Sequence, residues 1–187
     1  METDKINLSS GAEVTIYDNA FPMGFREDAY FFIKKSLFCI GWADKLTSEN
    51  MFAYDQHLHS VFSQKDIQNL GIFNYIKNIQ GVPRGVNEEN LTRAVVNLSL
   101  PSDVYQTHIH RNEYVALYYA NTYWQDGYHG KTLFFNQTKN KIDLALPYVP
   151  GRLILFDGET PHTIRPQSVA GPTFRFTLAL FFNKSNF

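Results

Sequence analysis

Thr107-His108-Ile109-His110 is the stretch that decides how this chain is read. Two residues separated by one on an extended backbone point to the same face, roughly 7 Å apart at Cα. That is close enough for two imidazoles to share a metal ion at ~2.0–2.1 Å. A third histidine, His162, follows the apolar run Gly151-Arg-Leu-Ile-Leu-Phe-Asp157. Just past the end of a buried strand is where an inward-facing ligand belongs. Spacing alone does not single out the first pair, because His57-Leu58-His59 shares it. Context does: His108 and His110 lead into an apolar stretch ending Tyr118-Tyr119-Ala120-Asn121, and they precede the glycine-marked strand with its distal histidine.

Outward from this pair the second half of the chain reads as short strands. Residues 93–100, 113–121, 132–136, 142–146, 152–156 and 173–182 are apolar or alternating. Turn chemistry separates them at Pro101-Ser-Asp103, Asp126-Gly127, Pro150-Gly151 and Gly171-Pro172. Strands without intervening helices predict a sandwich or jelly roll. The first half is mixed. Residues 14–17 and 38–42 read as strands. Tyr30, Ile33 and Leu37 fall at helical spacing over 26–37, and Ser63 with Asp66 opens a second helix through Ile67, Leu70 and Phe73. The expectation is a mainly β fold with N-terminal helices: one domain over 1–187, helical support over about 1–90 and a β-core over about 91–187.

Bulk properties remove several function classes. The net charge is −1, so there is no basic footprint for nucleic acid. No apolar run approaches the ~18 residues of a membrane span. The N-terminus is polar and acidic and does not read as a signal peptide. The single cysteine, Cys39, excludes an intrachain disulfide and a CxxC zinc module, and fits a reducing, cytoplasmic setting. With 16 Phe and 11 Tyr in 187 residues, the core is expected to be aromatic.

The last strand carries one more signal. In Phe174-Arg-Phe-Thr-Leu-Ala-Leu-Phe-Phe182, Phe174, Phe176, Leu178 and Leu180 take one face, and Arg175, Thr177 and Ala179 the other. An arginine inside so apolar a strand needs an anionic partner, from the protein or from a ligand. If Gly171-Pro172 turns a hairpin, Arg175 lies on the order of 10 Å from His162. A short dicarboxylate could then bind a metal at one end and a guanidinium at the other, with Thr177 adding a hydrogen bond.

These residues resemble the iron(II)/2-oxoglutarate-dependent dioxygenases, in particular the prolyl 4-hydroxylase-like group. The resemblance runs through His108-Ile109-His110, Tyr118-Tyr-Ala-Asn121, Trp124 with His129-Gly-Lys-Thr132, Pro150-Gly-Arg-Leu-Ile-Leu-Phe156, His162 and Arg175-Phe-Thr177. It is strong from about residue 93 onward and faint before. It implies a double-stranded β-helix, with His108, His110 and His162 holding Fe(II) and Arg175, Thr177 and Tyr119 holding the co-substrate 2-oxoglutarate. It further implies O₂ as oxidant, ascorbate as a stimulant, and hydroxylation of a peptidyl (prolyl-like) or small-molecule substrate with release of succinate and CO₂. One departure stands out: the family's second ligand is a carboxylate, and this chain has His110. Three readings follow: His110 ligates; a carboxylate such as Glu113 does, although strand parity puts Glu113 on the opposite face unless a bulge intervenes; or the position is filled by water or halide. Two other readings stay open: a cupin-like three-histidine enzyme without 2-oxoglutarate, and a metal-binding module without turnover.

Overall fold

Every residue of the strand from Arg175 to Phe182 is buried. A strand can do that only inside a sheet covered on both faces. The structure, a computed structural model, describes residues 2–41, 58–103 and 105–187. In chain order its elements are β1 (Glu2–Asn7), β2 (Glu13–Asp18), helix α1 (Met23–Lys34), β3 (Cys39–Ile40), β4 (Leu58–Phe62), α2 (Gln64–Leu70) and α3 (Phe73–Ile76). Then follow β5 (Leu91–Ser99), β6 (Glu113–Tyr119), β7 (Thr132–Phe135), β8 (Ile142–Leu146), β9 (Leu153–Asp157), β10 (His162–Ile164) and β11 (Arg175–Asn183).

Two antiparallel sheets form the jelly-roll core. The larger has the order β1-β2-β9-β6-β11-β5-β4-β3, and the smaller β10-β7-β8. The alternation along each strand of the large sheet divides the interior in two. Phe176, Leu178, Leu180 and Phe182 join Ala94, Val96, Ala116, Tyr118, Leu153 and Leu155 in one cluster. That cluster is closed by Phe25, Ala29 and Ile33 of α1 and by Ile67, Leu70 and Ile76 of α2 and α3. Ala179 and Phe181 face the other way, with Val95, Val115, Leu117, Ile154 and Phe156, and pack on Phe134 and Leu146 of the small sheet. The candidate site opens from this second layer.

The local signals explain most boundaries. Ser63 and Asp66 form a reciprocal capping box at the start of α2, and Gly71 ends it with φ +66°. α1 stops at Lys34, short of the expected 37, and Leu37 beyond it is 89% exposed, so no burial of that side chain favours a further turn. The strand expected over 38–42 is described only as Cys39–Ile40; Trp42 lies outside the described residues, as does His57. Three strands were not expected, β1, β4 and β10. Through β1, β2, β3 and β4 the N-terminal half adds both edges of the large sheet as well as the helices.

Candidate metal centre

His108 and His162 face each other across an antiparallel bridge: His108 N donates to His162 O (3.0 Å) and His162 N to His108 O (3.1 Å). His110 is locked to the same loop by its N–H to Gly158 O (2.7 Å). Gly158 permits this approach, since a Cβ there would lie 2.6 Å from both His110 O and Glu113 O. The three ring centroids stand 4.5, 4.9 and 5.2 Å apart. Their ligand atoms all lie within 4.8 Å of one another, and among the described residues no other group of three such side chains does this. His108 sits on an isolated bridge, not on a continuous strand as its spacing suggested. The convergence comes from backbone pairing with His162.

Two of the three rings are oriented in the same way. His108 Nδ1 lies 3.1 Å from Gln106 O, and His162 Nδ1 lies 2.7 Å from Thr160 O. A neutral imidazole that donates through Nδ1 turns the lone pair of Nε2 to the centre, the usual outer-shell arrangement of a metal-bound histidine. Burial, then the neighbouring imidazoles, holds His162 well below its ordinary pKa. Burial, then His108 and Arg93, lowers His110 to about 3. Both rings are therefore neutral at physiological pH, the state a metal requires. Phe181 lies under His110 (4.8 Å between centroids) and Phe156 against His162 (4.8 Å), so the walls are apolar.

Glu113 is not on the far face that parity assigned it. A turn at Arg111-Asn112, with Asn112 at φ +60°, brings the chain back and sets Glu113 Oε2 4.0 Å from His110 Nδ1. Its carboxylate lies on the Nδ1 side of that ring and is clamped by Arg93 through Nε (3.1 Å) and Nη2 (2.8 Å).

Arg175 begins β11 and is fully buried. Its Nε donates to Gly130 O (3.1 Å), while Nη1 and Nη2 are buried with no partner among the described residues. The guanidinium lies over the rings of Tyr148 (4.7 Å) and Tyr119 (5.5 Å). A buried cation with two unanswered donors is costly unless an anion completes it. No protein carboxylate is paired with it among the described residues, so the arrangement fits an incoming carboxylate. Asn121 sets the strand: its Oδ1 accepts from Phe176 N (2.8 Å) and its Nδ2 donates to Phe174 O (3.0 Å), bracketing Arg175. The expected hairpin route to His162 is absent. β10 pairs with β7, whereas β11 lies between β5 and β6, so the two residues belong to opposite sheets.

Thr177 is buried and pairs in register with Tyr119. Tyr119 is buried too; its hydroxyl donates to Thr132 Oγ1 (2.6 Å), and burial pushes its phenol up. Tyr148 was missed by the sequence reading. It stacks on Tyr119 (4.4 Å, 6° between planes), and nothing in Pro147-Tyr148-Val149 signals it. Trp124 braces the wall, donating Nε1–H to His129 O (3.1 Å) and packing on Tyr148 (4.3 Å). Tyr105 donates to Asp103 Oδ2 (2.7 Å), and Asn97 stands opposite Thr177 on β5. His129 and Arg165 are exposed. His59 lies in β4, in register between Cys39 and Asn97, and takes no part in the triad.

No protein-family model and no curated sequence matches the chain. Solved structures do. A prolyl hydroxylase from Trichoplax adhaerens, in complex with a hypoxia inducible factor oxygen degradation domain peptide fragment, aligns at TM-score 0.65 and 17% identity over 95% of this chain and 86% of that one. A Pseudomonas putida prolyl-4-hydroxylase aligns at 0.59 and 15% identity, over 91% and 92% of the two chains. An oxidoreductase of the 2OG-Fe(II) oxygenase family from Burkholderia pseudomallei aligns at 0.64 and 12% identity, over 92% and 85%. What these matches share with the chain is architecture: it is folded as the prolyl hydroxylases and 2OG-Fe(II) oxygenases are.

Proposed function

We propose that this protein is an Fe(II)- and 2-oxoglutarate-dependent oxygenase that hydroxylates a peptidyl, prolyl-like residue or a small molecule. The observation that carries the reading is a three-imidazole cluster together with a fully buried arginine whose two Nη groups have no partner among the described residues. His108, His110 and His162 would hold the metal through Nε2 and leave further coordination positions open. The bound metal supplies O₂ activation and the coupled decarboxylation of 2-oxoglutarate to succinate and CO₂. Arg175 binds the distal carboxylate of 2-oxoglutarate through Nη1 and Nη2, with Thr177 and the Tyr119 hydroxyl beside it. Phe134, Phe156 and Phe181 keep bulk water from the rings. Ascorbate stimulates by keeping the metal reduced. The peptide complex of the Trichoplax adhaerens neighbour favours a peptide substrate.

The test is succinate formation from 2-oxoglutarate with Fe(II) and ascorbate, alone and with proline-containing peptides. Succinate above the metal-free control supports the reading; none under any condition rejects it. His162→Ala is expected to abolish stoichiometric metal binding, and full retention would show that the triad is misassigned. Three neutral imidazoles also suit zinc. Metal analysis after anaerobic purification, with zinc found and no succinate formed, would favour a metal-binding module without turnover.

A further inference from the structure

The third ring of the cluster is oriented unlike the other two. Nδ1 of His108 and of His162 meets a backbone carbonyl. Nδ1 of His110 instead lies 3.3 Å from Arg93 Nη2 and 4.0 Å from Glu113 Oε2. A guanidinium has only protons to offer. An Arg93 N–H donated to Nδ1 across this distance puts the proton of the neutral ring on Nε2. A metal at Nε2 needs that proton on Nδ1, where it would oppose the arginine N–H. The Glu113 oxygen beside it is an acceptor, and closing the gap to a hydrogen bond takes a shift of about 1 Å.

We infer that Glu113 is a positioning residue for the metal centre: when metal binds, Glu113 Oε2 accepts the Nδ1–H of His110 and anchors the ring that replaces the usual carboxylate ligand. The inference rests on the reading of the triad as a metal site. The parts are already assembled. Arg93 holds the carboxylate by two bonds, at 2.8 and 3.1 Å, and is itself fixed with its guanidinium 3.8 Å from the centre of the Phe181 ring, the ring on which His110 packs. Thr92 Oγ1 donates to Phe181 O (3.0 Å) at the same corner. Gly158 N donates to Glu113 O (2.8 Å), so the backbone of Glu113 is tied to the loop that carries His162. The carboxylate that a His-x-Asp site places on the metal stands here one imidazole further out. A carboxylate–imidazole–metal chain passes part of its negative charge inward by raising the basicity of the ring. It also favours the Nδ1–H tautomer that ligation demands, with no change in the ring's proton count.

The test is Co(II) binding to the full chain, followed by its visible absorption and by competition with a chelator. Wild-type protein is titrated first, because failure to bind Co(II) would overturn the metal-site reading itself. Given binding, Glu113→Gln is expected to weaken Co(II) affinity roughly 10- to 100-fold and to shift the absorption bands. Glu113→Asp is expected to restore part of the loss. Arg93→Gln separates positioning from structural support, since it breaks the same ion pair but leaves the carboxylate free to accept from His110. Affinity should hold or tighten in that variant. Unchanged affinity in Glu113→Gln, or equal losses in Glu113→Gln and Arg93→Gln, would overturn the inference. If Glu113→Gln does not fold, Arg93→Gln decides: a loss of tenfold or more counts against the role, and retention supports it.

Discussion

Arg175 concentrates the energetic problem of this molecule in one side chain. Among the described residues its buried Nη groups have no partner, which leaves a desolvated cation held by one carbonyl and two aromatic faces. Replacing a poorly compensated buried charge with an apolar side chain of similar volume is often neutral or stabilising. Arg175→Met should therefore melt at or above the wild-type temperature without ligand and lack the stabilisation by 2-oxoglutarate with Mn(II) that the proposed function predicts for the wild type. A lower ligand-free melting temperature with the 2-oxoglutarate shift intact would contradict both halves. The imidazoles set the pH response. His110 and His162 titrate lower in the folded protein than in the unfolded chain, so the unfolded chain takes up their protons first. Their contribution is complete above the unfolded value of about 6.5. It is lost as pH falls toward the folded values, about 3 for His110. Denaturant unfolding of metal-free protein between pH 7 and 4 should show stability declining with acid, and less steeply in His110→Gln; equal slopes would show that His110 does not contribute.

Elements deliver these residues, and some of that delivery was readable in the sequence. The alternation of Phe174–Phe182 separated Arg175 and Thr177 from the helix-facing residues, and the core clusters divide the same way. Backbone propensity could not show that Asn121 brackets Arg175 or that Tyr148 lies beneath it, because both are contacts between segments 27 to 55 residues apart. The turn that returns Glu113 to His110 was equally hidden; it depends on a positive φ at an asparagine, and strand parity argued against it. β10 has three residues, too few for a periodic signal, and is defined by pairing with β7. The loop before β7 offers a test at this scale. Gly130 has φ +78°, and a Cβ there would lie 3.0 Å from Trp124 and 3.2 Å from the Arg175 side chain. Gly130→Ala is expected to cost more than about 1 kcal/mol and to raise the 2-oxoglutarate concentration needed for half-maximal succinate formation. Wild-type behaviour on both counts would mean that the loop yields without disturbing Arg175.

At the scale of the whole molecule, the helices and the small sheet compete for nothing: each covers its own face of the large sheet. Ile33, fully buried on α1, belongs to the layer away from the histidines. Ile33→Ala is expected to cost about 2–5 kcal/mol by equilibrium denaturation while leaving metal stoichiometry at wild type. Loss of metal below the unfolding transition would show that the helical layer shapes the triad directly. The jelly roll was legible because turn residues punctuate the second half at regular intervals. The N-terminal strands were not, since β1 is polar and exposed over much of its length and β4 is a short piece. β11 ties the two layers together, with Arg175 and Thr177 on one side and Phe176, Leu178 and Leu180 on the other. A strand buried at every position from Arg175 to Phe182 has no neutral drift to spare there. Under the proposed function, accommodating a different keto acid would mean repacking the hydrophobic floor behind Arg175 at the same time, so new co-substrate preferences should arise more readily from the surrounding loops than from this strand.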